Sequence, residues 1–423
     1  MSKKYLFISQ NDLALEDSNG RTFRNVFNYV NIENIYAFSL IRRNEKLNAN
    51  QVFYIDESRL FRKKKIHYSI KKKEKSNTQT FRNSRKIKKN PLTMLLRNLL
   101  WSISFYHWRH RLRNWLEEIN VDYIIFNPGD FAFMHRLAGY VSKVLRKKII
   151  VYNTEDYYFK TWNYLHDERG FKRLYPIFRK QLLKAYRYSA KHTSIAFHNT
   201  EELMLIYKME FPFVTHYVAY HPTMLAMNLE TKKIDDTTNF YYCGALDKGR
   251  DKTLLIFAKI LKEIMPNVKI IVNGKVPLDC TDEINNAENI IYKGFIPYDK
   301  VTETLKQNHL LLSINSLEKY HVKDKKYGFS TKIADYIASL NLIFHIGVEG
   351  GIEINTIKKY QLGYVATNEE EIVKNLISLK LNIKNNKNPY MNNQKTFYEN
   401  HLNYYKVARQ VQERIEGIGN KKT

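Results

Sequence analysis

Short apolar runs, separated by longer stretches of helical period, repeat along the whole chain. In the N-terminal half the runs predict strands at Tyr5–Ser9, Ile35–Leu40, Tyr123–Phe126, Ile149–Tyr152 and Thr193–Phe197. In the C-terminal half they predict Phe240–Cys243, Val268–Val272, Ile290–Tyr292, Leu310–Ile314 and Leu342–His345. Strands that alternate with helices in this way build βαβ units and mostly parallel sheets. The polar stretch His221–Asn239 carries Pro222 and Asp235-Asp236-Thr237-Thr238, interrupts this rhythm, and predicts a hinge over residues 223–239.

Two segments of the first half depart from the rhythm. Arg62–Lys89 holds thirteen Lys or Arg against the single acid Glu74 and has few large apolar residues. It cannot bury much surface, so it is expected to be a mobile basic loop inserted in the first domain. After it comes Pro91–Asn120, a long helical pattern with two apolar stripes. Leu92, Leu95, Leu96, Leu99, Ile103 and Tyr106 are expected to face a core. Trp101, Phe105, Trp108, Leu112 and Trp115 form the second stripe, with Arg97, Arg109, Arg111 and Arg113 nearby. Aromatics beside arginines fit a membrane interface, whereas the alternative packs both stripes inside the domain.

Bulk numbers narrow this picture. A chain of 423 residues predicts two domains rather than one core. A formal net charge of +27 asks for an anionic partner: a phosphorylated substrate, anionic lipid or nucleic acid. Cys243 and Cys280 are the only cysteines, so no disulfide framework exists and a reducing compartment is expected. The apolar run at the N-terminus is too short for a signal peptide, and no stretch predicts a transmembrane helix. Membrane contact is therefore expected to be peripheral.

The chemistry concentrates in Asn239–Ile346. The strand Phe240–Cys243 runs into Gly244, then Lys248, Gly249 and Arg250, then a helix. Glycines let backbone approach a phosphate, the two cations offset its charge, and the helix N-terminus adds its dipole. The next strands end in Asn273-Gly274 and in Lys293-Gly294-Phe295-Ile296-Pro297, and Leu310–Ile314 ends in Asn315-Ser316. Ligands of open parallel sheets bind beyond such carboxyl ends. In Tyr327-Gly328-Phe329-Ser330-Thr331-Lys332, Ser330 or Thr331 caps a helix whose first amides, with Lys332, suit a pyrophosphate. Asp335, one turn on, either accepts from ribose hydroxyls or is an exposed helix residue.

This succession, from Gly244 through Lys248 and Arg250 to Ser330–Ala338, resembles the donor domain of GT-B glycosyltransferases. It is most similar to the family-four-like enzymes of bacterial capsule and surface polysaccharide synthesis. The resemblance covers roughly residues 238–380 and implies two Rossmann-like domains with parallel sheets facing across a cleft. Residues 1–222 would bind the acceptor, residues 240–395 the nucleotide-sugar, and residues 396–423 would form a C-terminal helix packing back on the first domain. It maps ribose binding onto Asp335 and diphosphate binding onto Lys248 and Arg250. The chain departs from the family at two places: Tyr327 stands eight positions before Asp335 where many members have an acid, and Ala245 stands where an arginine is frequent.

On the acceptor side, the turn after the first strand brings Asp17, Gly20 and Arg21, and the strand Lys148–Tyr152 ends in Asn153-Thr154-Glu155-Asp156. Glu155 or Asp156 would serve as base in an inverting reaction or as a positioning group in a retaining one; the plainer alternative is a helix cap. The thirteen His residues show no metal-ligand spacing, so neither metal nor cofactor is expected beyond the donor itself. The reading is hexosyl transfer from a UDP- or GDP-sugar to a lipid-linked or polymeric glycan acceptor. It is set in the cytoplasm at the inner face of the plasma membrane, with Arg62–Lys89 and Pro91–Asn120 meeting anionic lipid. The rivals are a GT-B-shaped sugar-nucleotide epimerase, a sugar- or lipid-binding scaffold, and a basic nucleic-acid-binding protein. No nucleic-acid module is present to favour the last.

Overall fold

The computed structural model describes residues 3–10, 18–40, 49–55, 68–72, 89–165, 171–227, 234–235, 237–277, 280–318, 326–383 and 388–419. The chain divides into two compact units, residues 1–220 with 408–423 and residues 221–407. The C-terminal helix Tyr404–Gly419 starts in the second unit and from Ala408 onward belongs to the first.

The first unit is built on β1 (Tyr5–Ile8), β2 (Ile35–Ser39), β3 (Gln51–Ile55), β4 (Tyr68–Lys72), β5 (Tyr123–Phe126), β6 (Ile149–Asn153), β7 (Thr193–His198) and β8 (Thr215–Val218). They form one sheet in the order β4-β3-β2-β1-β5-β6-β7-β8. Every pairing is parallel except that of β3 with β4. Central strands such as β1, β2 and β6 are buried along their whole length. Covering both faces of a parallel sheet is what turns these strands into continuous apolar runs. Part of the basic segment is thus not a loop, because residues 68–72 add an antiparallel edge strand to β3. Apart from this strand and Lys89, Arg62–Lys89 lies outside the described residues. The first helix runs Ser18–Val26 and so takes in Gly20 and Arg21 from the expected turn.

The helix Pro91–Ile119 reverses the expected orientation of its stripes. Its entry is fixed by a capping box, in which Asn90 Oδ1 accepts from Thr93 N at 2.8 Å and Thr93 Oγ1 accepts from Asn90 N at 3.0 Å. Trp101, Trp108 and Trp115 are 0%, 1% and 1% exposed, while Leu96, Leu99, Ile103 and Tyr106 are 46%, 54%, 53% and 66% exposed. The tryptophans enter an aromatic core with Phe38, Phe53, Phe131 and Phe133. Their larger apolar area favours them over leucines for the buried side. Two buried polar groups find partners there: Trp115 Nε1 donates to Gln51 Oε1 at 3.0 Å, and the side-chain oxygen of buried Asn98 accepts from Phe133 N at 3.0 Å. The expected aromatic membrane face is therefore core, and the leucine stripe faces solvent. Among the described residues no helix is long and apolar enough to cross a membrane.

The second unit holds β9 (Phe240–Cys243), β10 (Ile270–Asn273), β11 (Ile290–Tyr292), β12 (Leu310–Ile314), β13 (Leu342–Ile346) and β14 (Tyr364–Ala366). All pairings are parallel, in the order β11-β10-β9-β12-β13-β14. Read by chain position this is third-second-first-fourth-fifth-sixth, the order of doubly wound nucleotide-binding sheets, with the topological switch between β9 and β12. Phe240 anchors its core edge-on to Phe257 and Phe344, and Phe344 stacks on Tyr364.

Candidate functional site

The carboxyl ends of β9, β10 and β11 are laced together by backbone. Gly244 N donates to Asn273 O at 2.9 Å, and Gly274 N donates to Gly294 O at 3.0 Å. Gly274 has φ +154°, and a Cβ there would lie 1.7 Å from the Gly244 carbonyl oxygen, so only glycine fits. The turn that follows is held in left-handed conformation at Lys248 (φ 59°) and Gly249 (φ 76°), which starts the helix Arg250–Ile264.

The cations do not share this site equally. Arg250 is folded back on its own turn, donating to Asp247 Oδ1 at 2.8 Å and Ala245 O at 3.2 Å. It braces the loop rather than standing open to a phosphate. Lys248 is exposed. Lys332 comes in from another element: its Nζ lies 4.5 Å from the Tyr242 ring centroid and 6.0 Å from that of Tyr336. It is also 3.6 Å from where a Gly244 Cβ would stand. The helix Thr331–Ala338 that carries it is capped by Ser330, whose Oγ accepts from Lys332 N at 3.3 Å. The Tyr336 hydroxyl accepts from Cys243 N at 3.1 Å and so fixes this helix to the end of β9. The structure thus brings Gly244, Gly274, Ser330, Thr331 and Lys332 to one edge, at the switch point where helix amides and an ammonium together favour an anion.

Asp335 is 7% exposed, and its Oδ1 accepts from Thr223 Oγ1 at 2.6 Å. Thr223 is itself held by Leu402 O, to which its N–H donates at 3.0 Å. The side chain expected either to face ribose or to lie on the helix surface therefore anchors the start of the connecting segment.

Three residues given no role of their own from the sequence belong to this edge. Phe295, just past β11 and Gly294, is 67% exposed, and Lys275 Nζ lies 5.8 Å over its ring. An apolar ring standing in solvent at the carboxyl edge is the one cheap signal that could have singled it out. His345 lies within β13, and Glu353 in the helix that follows it. Glu353 accepts from Asn315 Nδ2 at 2.5 Å and from Ser330 N at 2.9 Å, and His345 Nε2 is 3.8 Å from its carboxylate.

In the first unit, Glu155 is exposed and Asp156 is buried. Asp156 Oδ1 accepts from Phe159 N at 2.9 Å, and burial raises its pKa above the ordinary carboxylate value. Of the pair, Glu155 alone is presented to solvent at the end of β6. Gly20 and Arg21 lie in the first turn of the helix Ser18–Val26 rather than in a loop. Asp17 lies outside the described residues.

No family model matches the chain, and no curated protein sequence does. Solved structures do. HepE of Anabaena, in complex with UDP and glucose, superposes with a TM-score of 0.60 at 11% identity, over 98% of this chain and 100% of that one. Sucrose-phosphate synthase of Thermosynechococcus elongatus gives 0.62 at 10% identity, over 100% of both chains. WaaG, a glycosyltransferase involved in lipopolysaccharide biosynthesis, gives 0.57 at 14% identity, over 98% of this chain and 100% of that one. At such identities the likeness is one of fold, and the fold is GT-B, two Rossmann-like units each built on a largely or wholly parallel sheet.

Proposed function

We propose that this chain is a glycosyltransferase that moves a hexosyl group from a UDP- or GDP-sugar to a lipid-linked or polymeric glycan in cell-surface polysaccharide synthesis. The observation that carries this reading is Lys332 beside Gly244, at the head of a capped helix and at the switch point of a doubly wound sheet. A diphosphate leaving there meets backbone amides and an ammonium that are already in position, and stabilising the developing charge is the main catalytic demand. Phe295, two strands away from β9, offers its ring to the base. Glu155 is the acceptor-side carboxylate. The fold shared with a structure that holds UDP and glucose supports the donor class.

A thermal-shift screen of UDP-, GDP-, ADP- and CMP-sugars tests the reading. At about a hundredfold excess over Kd a ligand of the native state adds about 2.7 kcal/mol, so a rise in Tm of several degrees is expected with a UDP- or GDP-sugar. No rise with any of the four would sink it.

The lipid-linked acceptor has separate support in the solvent-facing stripe Leu96, Leu99, Ile103 and Tyr106, where the Arg109 guanidinium lies 4.9 Å over the Tyr106 ring. Apolar side chains bordered by cations suit the headgroup boundary of an anionic bilayer. Leu99→Asp with Ile103→Asp should weaken co-sedimentation with phosphatidylglycerol vesicles roughly tenfold or more, since each buried aliphatic side chain contributes about 1.5–3 kcal/mol. Soluble transfer should be unchanged. Equal sedimentation of variant and wild type would remove the membrane from the reading.

A further inference from the structure

The second unit presents a buried carboxylate that the donor site described above does not use. Glu353 is 3% exposed and sits in the first turn of the helix Ile352–Tyr360, just after the pair Gly350-Gly351. A carboxylate so deeply buried is costly unless hydrogen bonds and dipoles compensate it. Here the helix N-terminus, the Asn315 amide at 2.5 Å and the Ser330 N–H at 2.9 Å do so. Its two partners stand at the carboxyl end of β12 and at the cap of the helix that carries Lys332. Gly347 closes the packing around them, since a Cβ there would come within 3.3 Å of Asn315 Cβ.

A carboxylate only accepts, so it decides which way the Asn315 amide points. The nitrogen must turn inward to Glu353, and the carbonyl oxygen, Oδ1, must turn outward. Among the described residues that oxygen meets no donor. Its position along the sheet gives the rest of the argument. From β11, where Phe295 stands, through β10 and β9 to β12 is three strand steps, about 14 Å at the usual spacing. If base lies over Phe295 and diphosphate over Gly244 and Lys332, the hexosyl end falls beside Asn315.

We propose that Glu353 is a positioning residue for the donor sugar. It holds Asn315 so that an acceptor oxygen faces a sugar hydroxyl, and it pins the Ser330 cap that sets the place of Lys332. This rests on the nucleotide-sugar reading given above. Glutamine at 353 still accepts from Ser330 N but turns an amide nitrogen toward Asn315, which must then flip and present its own nitrogen to the ligand.

The test compares UDP-glucose with UDP, and GDP-mannose with GDP, by calorimetric titration of the full chain. With Glu353→Gln, affinity for the nucleotide-sugar should fall about tenfold, the size of one misdirected hydrogen bond. Affinity for the free nucleotide should change less than threefold. Asn315→Ala, which leaves the bond between Glu353 and Ser330 intact, should show the same selective loss even where Glu353→Gln folds poorly. In Asn315→Asp/Glu353→Gln the acceptor again faces outward, and sugar affinity should return to within about threefold of wild type. Equal losses for sugar and nucleotide, or a lowered Tm with both affinities unchanged, overturn the proposal in favour of a purely structural carboxylate. A wild-type chain that binds none of the four ligands overturns the functional reading first and this inference with it.

Discussion

Lys332→Met is expected to lower kcat for transfer roughly a hundredfold to a thousandfold, the usual loss when one preorganised group facing a developing charge is removed. The donor KM should move much less. Methionine keeps the unbranched stem that packs between Tyr242 and Tyr336, so the helix Thr331–Ala338 keeps its seat and only the charge is deleted. An ammonium beside a diphosphate gains most as the glycosidic bond breaks and charge gathers on the leaving group, which places its effect in turnover. Lys248→Met should cost less than tenfold, because that side chain is exposed and its interaction is weakened by water. Arg250→Met should behave differently from both. It releases Asp247 and the Ala245 carbonyl, so it should lower thermal stability together with turnover. Unchanged kcat in Lys332→Met, with nucleotide binding intact, would remove this residue from the site.

Much of the architecture was legible because the central strands are covered on both faces. β1, β2, β5, β6, β7, β9, β11, β12 and β13 were each anticipated to within a residue, and β10 to within two. The strands that were missed are β3, β4, β8 and β14. All four lie at sheet edges or next to one, and β14 is only three residues long. Edge strands bury less, so Thr215–Val218 and Gln51–Ile55 give mixed patterns instead of apolar runs. The inverted helix has another cause. Both stripes of Pro91–Ile119 have helical period, and period says nothing about which one finds a partner. The choice was made by Phe38, Phe53, Phe131 and Phe133, which reach the tryptophans only in the folded unit.

The site divides along the same line. Glycines and cations near strand ends could be read locally, as Gly244, Gly274 and Lys332 were. What each charged group is occupied with could not. Asp335 is engaged by Thr223 across 112 positions, and Arg250 by the carbonyl and carboxylate of its own turn. Asp156 turns inward to cap Phe159 while its neighbour Glu155 faces solvent. Glu353 escaped notice because its partners are 38 and 23 positions away, although an acid in the first helical turn after a glycine pair was available as a signal.

Gly274→Ala should be the most damaging single substitution in the second unit, costing at least about 3 kcal/mol and abolishing the nucleotide-induced rise in Tm. The added methyl group would stand 1.7 Å from the Gly244 carbonyl oxygen, which is backbone and cannot rotate away. Relief would require β9 and β10 to part at their carboxyl ends, yet they are tied there by Gly244 N donating to Asn273 O. Either the strands separate and Gly244 leaves its place beside Lys332, or the unit unfolds. Gly294→Ala separates this clash from backbone strain alone. Gly294 also has positive φ, +73°, but nothing lies within 4 Å of its Cβ position. It should therefore cost only the left-handed penalty of about 1–2 kcal/mol and leave ligand binding in place. Urea unfolding of both variants, with and without nucleotide-sugar, distinguishes the two cases. If Gly274→Ala behaved like Gly294→Ala, the close approach of β9 and β10 that shapes the anion site would be wrong.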